Sequence, residues 1–302
     1  MNLSVNIGGL ALKNPVIAAS GTFGYGEEYV KAGDIRWFGA VCIKGTTLAP
    51  RAGNPPPRTC ETPSGLLNSI GLENPGAKLV IEHKLPWLAQ FDVPVIANIS
   101  ADSREEFSEL AGMFAQSPYV SALEVNVSCP NVKAGGIAFG TSPDMCYEAT
   151  RAVRKAWEGP LIVKLTPNVT DIKAIAKAAV EAGADALSLI NTLVGLAIDI
   201  HTMKPVLGNV TGGLSGPAIK PVALRCVWEV AQAVPVPVIG MGGIRSAQDA
   251  LEFIMAGAGA VAVGTGLLID PEVPRKVTQG IREYCEARGI EAVRELVGAA
   301  RR

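Results

Sequence analysis

Short apolar runs recur along the chain, and most of them are continuous rather than alternating. Continuous runs are typical of parallel strands that are buried on both faces. Such runs predict eight strands, at residues 16–20, 40–44, 94–100, 122–128, 160–166, 186–192, 237–243 and 260–266.

Helix-start signals lie between many of these strands. Ser103 and Glu106 have the spacing of a capping box, and apolar residues follow them at helical spacing. Residues 170–171, and Ser246 with Asp249, precede two further amphipathic stretches. Strand and helix therefore alternate through most of the chain.

Eight strand–helix units in 302 residues predict an α/β fold, a (β/α)₈ TIM barrel. We expect the first 15 residues to form a β-hairpin over the barrel floor. Residues 1–302 are expected to be a single domain, because no linker rich in Pro, Gly or Ser divides them. A doubly wound sheet is the alternative, but it usually carries a G-x-G-x-x-G fingerprint, and GTGLLI at 264–269 lacks the third glycine.

Three connections between predicted strands are long, at residues 47–78, 129–143 and 193–219. None of them has an obvious structure of its own in the sequence pattern. Long loops of this kind are often functional, so we expect them to lie at an active site.

The charge balance and the cysteines narrow the function classes. The chain has 27 basic and 28 acidic residues, so no basic face for nucleic acid is implied. The six cysteines include no C-x-x-C pair and the two histidines are far apart, which disfavours a metal centre. No basic leader precedes an apolar core at the N-terminus, and the uncharged run 253–269 is short and rich in glycine, so we expect a cytoplasmic protein.

Polar side chains stand where the predicted strands end, which in such a barrel is the end that carries the active site. These residues are Ser20, Lys44, Asn98, Asn126, Lys164, Asn191 and Thr192. Pairing in the core would explain any one of them, but seven at equivalent positions indicate a shared site.

The two lysines in this set are the most informative, because a buried ammonium is costly unless it has an anionic or electron-rich partner. A buried ion pair with Asp or Glu would satisfy Lys44 or Lys164 without any function. A Schiff-base nucleophile and a cation that faces an anionic ligand are the functional alternatives.

Glycine-rich segments follow the last two predicted strands, GMGGI at 240–244 and GTGLL at 264–268. Glycine there lets backbone N–H groups approach an oxyanion closely, as in the usual phosphate site of these barrels. A single phosphate pocket without a dinucleotide fingerprint favours a mononucleotide.

Cys129 stands at the start of a long connection, between polar residues and just after an apolar strand. An inert buried cysteine is the ordinary interpretation. A thiol over the barrel mouth would instead act as a nucleophile or a general base, and its unperturbed pKa near 8.5 permits either role.

Several segments together resemble the dihydroorotate dehydrogenase family, and within it the catalytic subunits of class 1B. The resemblance covers essentially the whole chain in order. It is carried by the segments 14–29 (NPVIAASGTFGYGEEY), 43–58 (IKGTTLAPRAGNPPPR), 65–76 (GLLNSIGLENPG), 124–131 (EVNVSCPN) and 240–244 (GMGGI). The segments 65–76 and 124–131 are the most specific.

The resemblance implies an FMN enzyme of pyrimidine biosynthesis that oxidises dihydroorotate to orotate. It implies that Cys129 is the base that takes a proton from C5, while a hydride leaves C6 for the flavin. The residues implied to hold FMN are Ser20, Lys44, Gly45, Asn98, Asn126, Lys164, Ile190, Gly216, Gly242, Gly243, Gly264 and Thr265.

The substrate site is implied by the same motifs. Amide side chains suit the imide edge of orotate, which offers donors and acceptors, and Lys44 with the backbone of the 68–72 turn suits its carboxylate. The implied residues are Lys44, Asn68, Ser69, Ile70, Gly71, Leu72, Asn126, Asn191 and Thr192.

Class 1B membership implies a partner. In that class a second subunit carries FAD and a 2Fe–2S cluster and reduces NAD⁺, and the assembly is a heterotetramer around a homodimer of the catalytic chain. This sequence has neither a cysteine cluster nor a dinucleotide fingerprint, so NAD⁺ would have to be bound by the partner. A class 1A enzyme that uses fumarate is the nearest alternative.

Three other functions are compatible with parts of the pattern. A Schiff-base lyase would use the lysines and the phosphate loops but gives Cys129 no role. A flavin enzyme of other dihydropyrimidines would lack a carboxylate partner for Lys44. A non-catalytic phosphate-ligand-binding barrel would be an assembly subunit.

Overall fold

A closed barrel of eight parallel strands is the centre of the computed structural model, which describes residues 1–127 and 138–301. The last barrel strand pairs with the first, so the barrel has no open edge. The barrel strands are β3 (Val16–Ala18), β4 (Ala40–Cys42), β7 (Val95–Ile99), β8 (Ala122–Asn126), β9 (Leu161–Leu165), β10 (Ala186–Leu189), β15 (Val238–Met241) and β16 (Ala260–Val263). The predicted (β/α)₈ fold and all eight predicted strands are confirmed.

Both faces of these strands are buried, as their continuous apolar pattern predicts. Outward residues such as Val125 and Val163 pack against the helices, and inward residues such as Ile96 and Ile162 fill the barrel. The two sets form separate clusters, because side chains alternate across a strand.

The barrel floor is closed by an antiparallel hairpin of β1 (Val5–Ile7) and β2 (Leu10–Leu12). Ile7, Leu10 and Leu12 are buried in the same cluster as the inward barrel residues. The predicted N-terminal hairpin is therefore present, and its apolar side chains plug the end of the barrel opposite the mouth.

Helices surround the barrel and pack against their neighbours in chain order. They are α1 (Ser20–Phe23), α2 (Ala77–Leu79), α3 (Leu85–Ala89), α4 (Arg104–Ala115), α5 (Ala138–Thr141), α6 (Pro143–Ala156), α7 (Ile172–Glu181), α8 (Lys220–Ala233), α9 (Ala247–Ala256), α10 (Gly266–Ile269) and α11 (Val273–Glu286), with a π-helical turn at Val80–Lys84 between α2 and α3. Within the described ranges, no helix has both the length and the apolar character needed to span a bilayer.

The predicted helix starts are correct with one difference. Asp171 caps α7, and Ser246 and Asp249 form a complete capping box at α9. Ser103 accepts a hydrogen bond from the Glu106 N–H at 3.1 Å, but the Glu106 carboxylate accepts from the Asp102 N–H, so that capping box is only half formed.

Two of the long connections are not structureless. They contain strands of a four-stranded antiparallel sheet, in the order β11-β14-β6-β5, made of β5 (Thr59–Thr62), β6 (Gly65–Asn68), β11 (Leu193–Leu196) and β14 (Thr211–Ser215). A smaller hairpin of β12 (Ile198–Asp199) and β13 (Lys204–Pro205) extends the second connection. The absence of structure expected for these two segments was wrong, since each segment pairs with a partner far away in sequence. We call this four-stranded sheet the mouth sheet.

Candidate active site

A cavity of about 310 Å³ lies between the C-terminal ends of the barrel strands and the mouth sheet. It is of the size that small-molecule ligands use. It brings together most of the residues that the sequence assigned to a site: Ser20, Lys44, Gly45, Asn68, Ile70, Gly71, Leu72, Asn98, Asn126, Lys164, Ile190, Asn191, Thr192, Gly216, Gly242, Gly243, Gly264 and Thr265.

Two predicted residues are not in this lining. Ser69 is completely buried behind it, with its N–H donating to the Arg58 carbonyl at 2.7 Å. It therefore supports the 68–72 turn from behind rather than facing the cavity. Cys129 lies outside the described residues, so its predicted role as the base stays a prediction.

The 68–72 turn is fixed by asparagine side chains on its outer side. The Asn54 amide donates to the Ser69 carbonyl at 3.0 Å, and the Asn74 amide donates to the Leu72 carbonyl at 2.7 Å. Gly71 has φ +76°, and a Cβ there would lie 2.6 Å from Asn54, so only glycine fits this close approach. Asn54 and Asn74 hold the turn, although neither was singled out from the sequence.

Lys44 and Lys164 are the charged side chains among the cavity-lining residues that the structure describes. Lys164 comes from β9, is 7% exposed, and its Nζ lies 4.0 Å from Glu124 Oε1. The ion pair considered from the sequence is thus present for Lys164, but at the long end of the range. Since the described lining contains no acid, the cavity suits an anionic ligand.

Amide side chains form a connected group beside the lysines. Asn191 Nδ2 donates to Asn126 Oδ1 at 3.4 Å, and the Asn191 Oδ1 accepts from the Thr192 N–H at 2.8 Å. Asn168, which the sequence analysis missed, donates to the Thr192 carbonyl at 2.9 Å. These bonds fix the direction in which the cavity-lining amides offer their donors and acceptors.

The end of the cavity near β15 and β16 is shaped by glycine. Gly242 and Gly243 have φ values of +128° and +78°, and a Cβ on Gly243 would lie 2.8 Å from the Lys220 Cβ. Side chains are therefore excluded there and the backbone is left bare. Thr265 Oγ1 contacts Ser215 Oγ at 2.7 Å across this end of the cavity.

Sequence reasoning missed several side chains of the site. Thr59 and Ser215 line the cavity, and no local motif marks them. Glu124 lies behind the lining, 4% exposed, and accepts hydrogen bonds from three strands. Its signal was available, because it is a charged residue inside the apolar run ALEVNV.

Cys42 is a buried thiol that lies beside Glu124. Burial raises the pKa of the Cys42 thiol well above its ordinary value, and the Glu124 carboxylate raises it further. Cys42 Sγ donates to Glu124 Oε1 at 3.2 Å. This thiol is thus a protonated donor rather than a nucleophile.

A sequence profile described as dihydroorotate dehydrogenase matches residues 2–285. This chain belongs to the dihydroorotate dehydrogenase family. Membership of the family implies a flavin cofactor and accounts for the cavity at the barrel mouth.

Curated relatives match over nearly their whole length. The chain is 56% identical to the "Dihydroorotate dehydrogenase B (NAD(+)), catalytic subunit" of Desulforudis audaxviator, covering 99% of this chain and 97% of the relative. It is 55% identical to the protein of the same name from Geobacillus kaustophilus, covering 98% and 95%. The dihydroorotate dehydrogenase of Eimeria tenella, solved in complex with ferulenol, superposes with a TM-score of 0.85 at 25% identity and covers all of this chain and 89% of its own.

Proposed function

We propose that this chain oxidises dihydroorotate to orotate with a bound FMN, and that it is the catalytic subunit of an enzyme whose final electron acceptor is NAD⁺. Family membership supports the reaction, and the names of the relatives support the NAD⁺-dependent class. The observation that carries the proposal is the single cavity in which two lysines, several amides and a bare glycine backbone meet at the barrel mouth.

The described residues fit FMN in three respects. Asn98 Oδ1 is a buried acceptor without a hydrogen-bond partner among the described residues, as expected where a ligand N–H completes the site. The bare backbone at Gly242 and Gly243, with Gly216, Gly264 and Thr265 beside it, suits a phosphate. Lys164 supplies a cation from the wall.

FMN, when bound, supplies the hydride acceptor of the reaction. Ser20, Gly45, Asn98, Asn126, Lys164 and Ile190 would hold its ring system, and Lys164 would stabilise negative charge that accumulates on reduction. Lys164 is itself buried, at 7% exposed, so its charge is screened less than that of a surface lysine.

The substrate proposal assigns the carboxylate to Lys44 and to the backbone of the 68–72 turn. Asn126, Asn191 and Thr192 would bind the imide edge with the donors and acceptors that their mutual hydrogen bonds orient, and Asn68, whose amide donates to the Gly213 carbonyl, would offer its oxygen. Cys129 would remove the C5 proton as a thiolate, as the family resemblance implies.

A partner subunit is part of the proposal. The relatives are named catalytic subunits, which supports a second component in the assembly. The sequence of this chain has neither a complete dinucleotide fingerprint nor closely spaced cysteines, so the partner would bring FAD, a 2Fe–2S cluster and the NAD⁺ site. A homodimer of this chain inside a heterotetramer is the assembly we propose.

An absorbance spectrum of the purified chain, before and after anaerobic dihydroorotate, tests the proposal. We expect a flavin spectrum that bleaches on addition of substrate, with FMN released on denaturation. NAD⁺ should reoxidise the flavin rapidly only after the partner subunit is added.

Other outcomes would replace parts of the proposal. A flavin that stays oxidised with dihydroorotate but bleaches with another dihydropyrimidine would change the substrate. Rapid reoxidation by fumarate without a partner would move the chain to the fumarate-dependent class. A colourless protein that does not take up FMN and is trapped covalently by borohydride with substrate would indicate a Schiff-base lyase.

A further inference from the structure

Glu124 is a buried acid at the centre of four barrel strands. Its Oε1 accepts from Asn98 Nδ2 at 2.6 Å and from Cys42 Sγ at 3.2 Å, and its Oε2 accepts from Ser188 Oγ at 2.7 Å. Lys164 Nζ lies 4.0 Å from Oε1. All five of these residues are buried.

Its position lies directly beneath the cavity. Glu124 precedes Asn126 by two residues on β8, so both side chains point into the barrel, and only Asn126 reaches the cavity lining. Other inward positions, among them Ile96, Ile239 and Ile162, which pairs with Glu124 on the neighbouring strand, are apolar. A carboxylate is therefore not needed to fill this barrel, and a buried one costs free energy unless its bonds serve another purpose.

The first consequence concerns the direction of the Asn98 amide. A carboxylate can only accept hydrogen bonds, so the amide group of Asn98 must turn its Nδ2 towards Glu124. Its Oδ1 then lies on the side of Gly45, where a Cβ would stand 2.9 Å away, and it is left without a partner. Glu124 thereby fixes the Asn98 Oδ1 as an acceptor beside Gly45, and both residues belong to the cavity lining.

The second consequence concerns Lys164. Among the described residues, Glu124 is the acid that approaches Lys164 within the ion-pair range. The separation of 4.0 Å holds the ammonium near the wall without closing a short pair that would occupy its donors. The same carboxylate thus orients two residues that we propose to hold FMN.

We propose that Glu124 is a positioning residue of the flavin site, which sets Asn98 as a hydrogen-bond acceptor and holds Lys164 in place while touching no ligand itself. This inference rests on the proposed FMN function. Cys42 and Ser188 complete its coordination, so that all three donors around the carboxylate come from different strands.

The test is a double-mutant cycle on FMN binding by the apoprotein, measured by quenching of flavin fluorescence. Glu124→Gln keeps the shape but removes the charge and one acceptor, and we expect it to weaken FMN binding about tenfold or more. In the Asn98→Ala background the same change should cost clearly less, because one of the two residues that Glu124 positions is gone and only the part of the effect that acts through Lys164 remains.

A polarity exchange tests the direction of the bond. Asn98→Asp alone places two acids together and should weaken binding strongly. Adding Glu124→Gln supplies an amide donor to the introduced acid, which still offers an oxygen to the cavity, so FMN affinity should recover. Failure of this recovery, or losses that simply add in the cycle, would overturn the proposal.

A matched control separates positioning from general destabilisation. Asp185→Asn is the same acid-to-amide change near the floor of the barrel, where Asp185 Oδ2 pairs with Arg154 at 2.9 Å. It should lower the thermal midpoint but leave FMN affinity unchanged. If Asp185→Asn weakens FMN binding as much as Glu124→Gln does, the positioning role is refuted.

The outcome for the wild-type protein distinguishes this inference from the proposed function. A wild-type chain that binds no FMN would overturn both. A wild-type chain that binds FMN and bleaches with dihydroorotate, together with an additive cycle, would overturn only the role of Glu124.

Discussion

Thr265 Oγ1 donates a hydrogen bond to Ser215 Oγ at 2.7 Å, which joins the end of barrel strand β16 to the last residue of strand β14 in the mouth sheet. The two residues are far apart in sequence and meet at the glycine-bare end of the cavity. This bond ties the segment that follows β16 to the mouth sheet, and the backbone of that segment, at Gly264 and Thr265, belongs to the proposed phosphate site.

Ser215→Ala should therefore weaken FMN binding about two- to tenfold, the usual range for one hydrogen bond. Titration of the apoprotein with FMN measures the loss. Thr211→Ala, at an exposed position of the same strand, is the control and should bind FMN normally. Equal affinities of Ser215→Ala and wild type would remove this contact from the site.

Lys164→Ala should lower FMN retention during gel filtration and slow flavin reduction by dihydroorotate at least about tenfold, since a buried cation beside developing negative charge is lost. Stopped-flow absorbance at the flavin band measures the rate. Lys173→Ala removes an exposed lysine of α7 and should change neither quantity. A variant that is fully loaded and equally fast would contradict the proposed role.

Cys129→Ser should slow flavin reduction by orders of magnitude near neutral pH. The base must be deprotonated to act, and a serine hydroxyl loses its proton far less readily than a cysteine thiol. The base is the deprotonated thiol, so the wild-type rate should rise with pH towards a plateau above the thiol pKa. That rise should be absent in the variant. An unchanged single-turnover rate would exclude Cys129 as the base.

Alkylation should discriminate among the described cysteines. The thiolate is the reactive form, and burial raises the pKa of Cys42 well above its usual range and that of Cys146 to about 12. At pH 8 both thiols are protonated and inaccessible, whereas Cys60 is partly exposed. Iodoacetamide followed by peptide mass spectrometry should label Cys60 well before Cys42, and equal labelling would show that the barrel interior is open.

Ile7→Ala should destabilise the fold by about 2–5 kcal/mol, because it removes a completely buried side chain from the floor of the barrel. Chemical denaturation of the FMN-loaded protein measures the change. Lys13→Ala, at an exposed position next to the hairpin, should be nearly neutral. A small effect of Ile7→Ala would mean that neighbouring side chains at the barrel floor move into the space that the isoleucine side chain left.

The sequence predicted the barrel well because its strands are buried on both faces. The resulting continuous apolar runs can be recognised without knowing which strands pair with each other. It predicted the seven polar side chains of the cavity lining because the strand ends of a barrel converge whatever the loops do. Other lining residues, such as Asn68 and Gly216, were implied only by the family resemblance. The mouth sheet was missed because its strands are short and because the two hairpins β5–β6 and β11–β14 become one sheet only where β6 pairs with β14, far away in sequence.

Two individual misses have different causes. Ser215 carries no local signal, since its significance arises only when the mouth sheet brings it to Thr265. Glu124 carried a clear signal, since it is a charged residue in an apolar strand. Its three hydrogen-bond partners, however, come from β4, β7 and β10, and no spacing along the chain shows that they contact one carboxylate.

The mouth sheet also bears on the order in which the molecule is assembled. Asn68 and Gly213 are paired partners 145 residues apart, and four barrel strands, β7 to β10, lie between them in the chain. Closing so long a loop is entropically unfavourable until those strands are in place, so we expect the barrel to form before the sheet over its mouth. We also expect the mouth sheet to open locally at a lower free energy than the barrel beneath it, which hydrogen exchange of its backbone amides would measure.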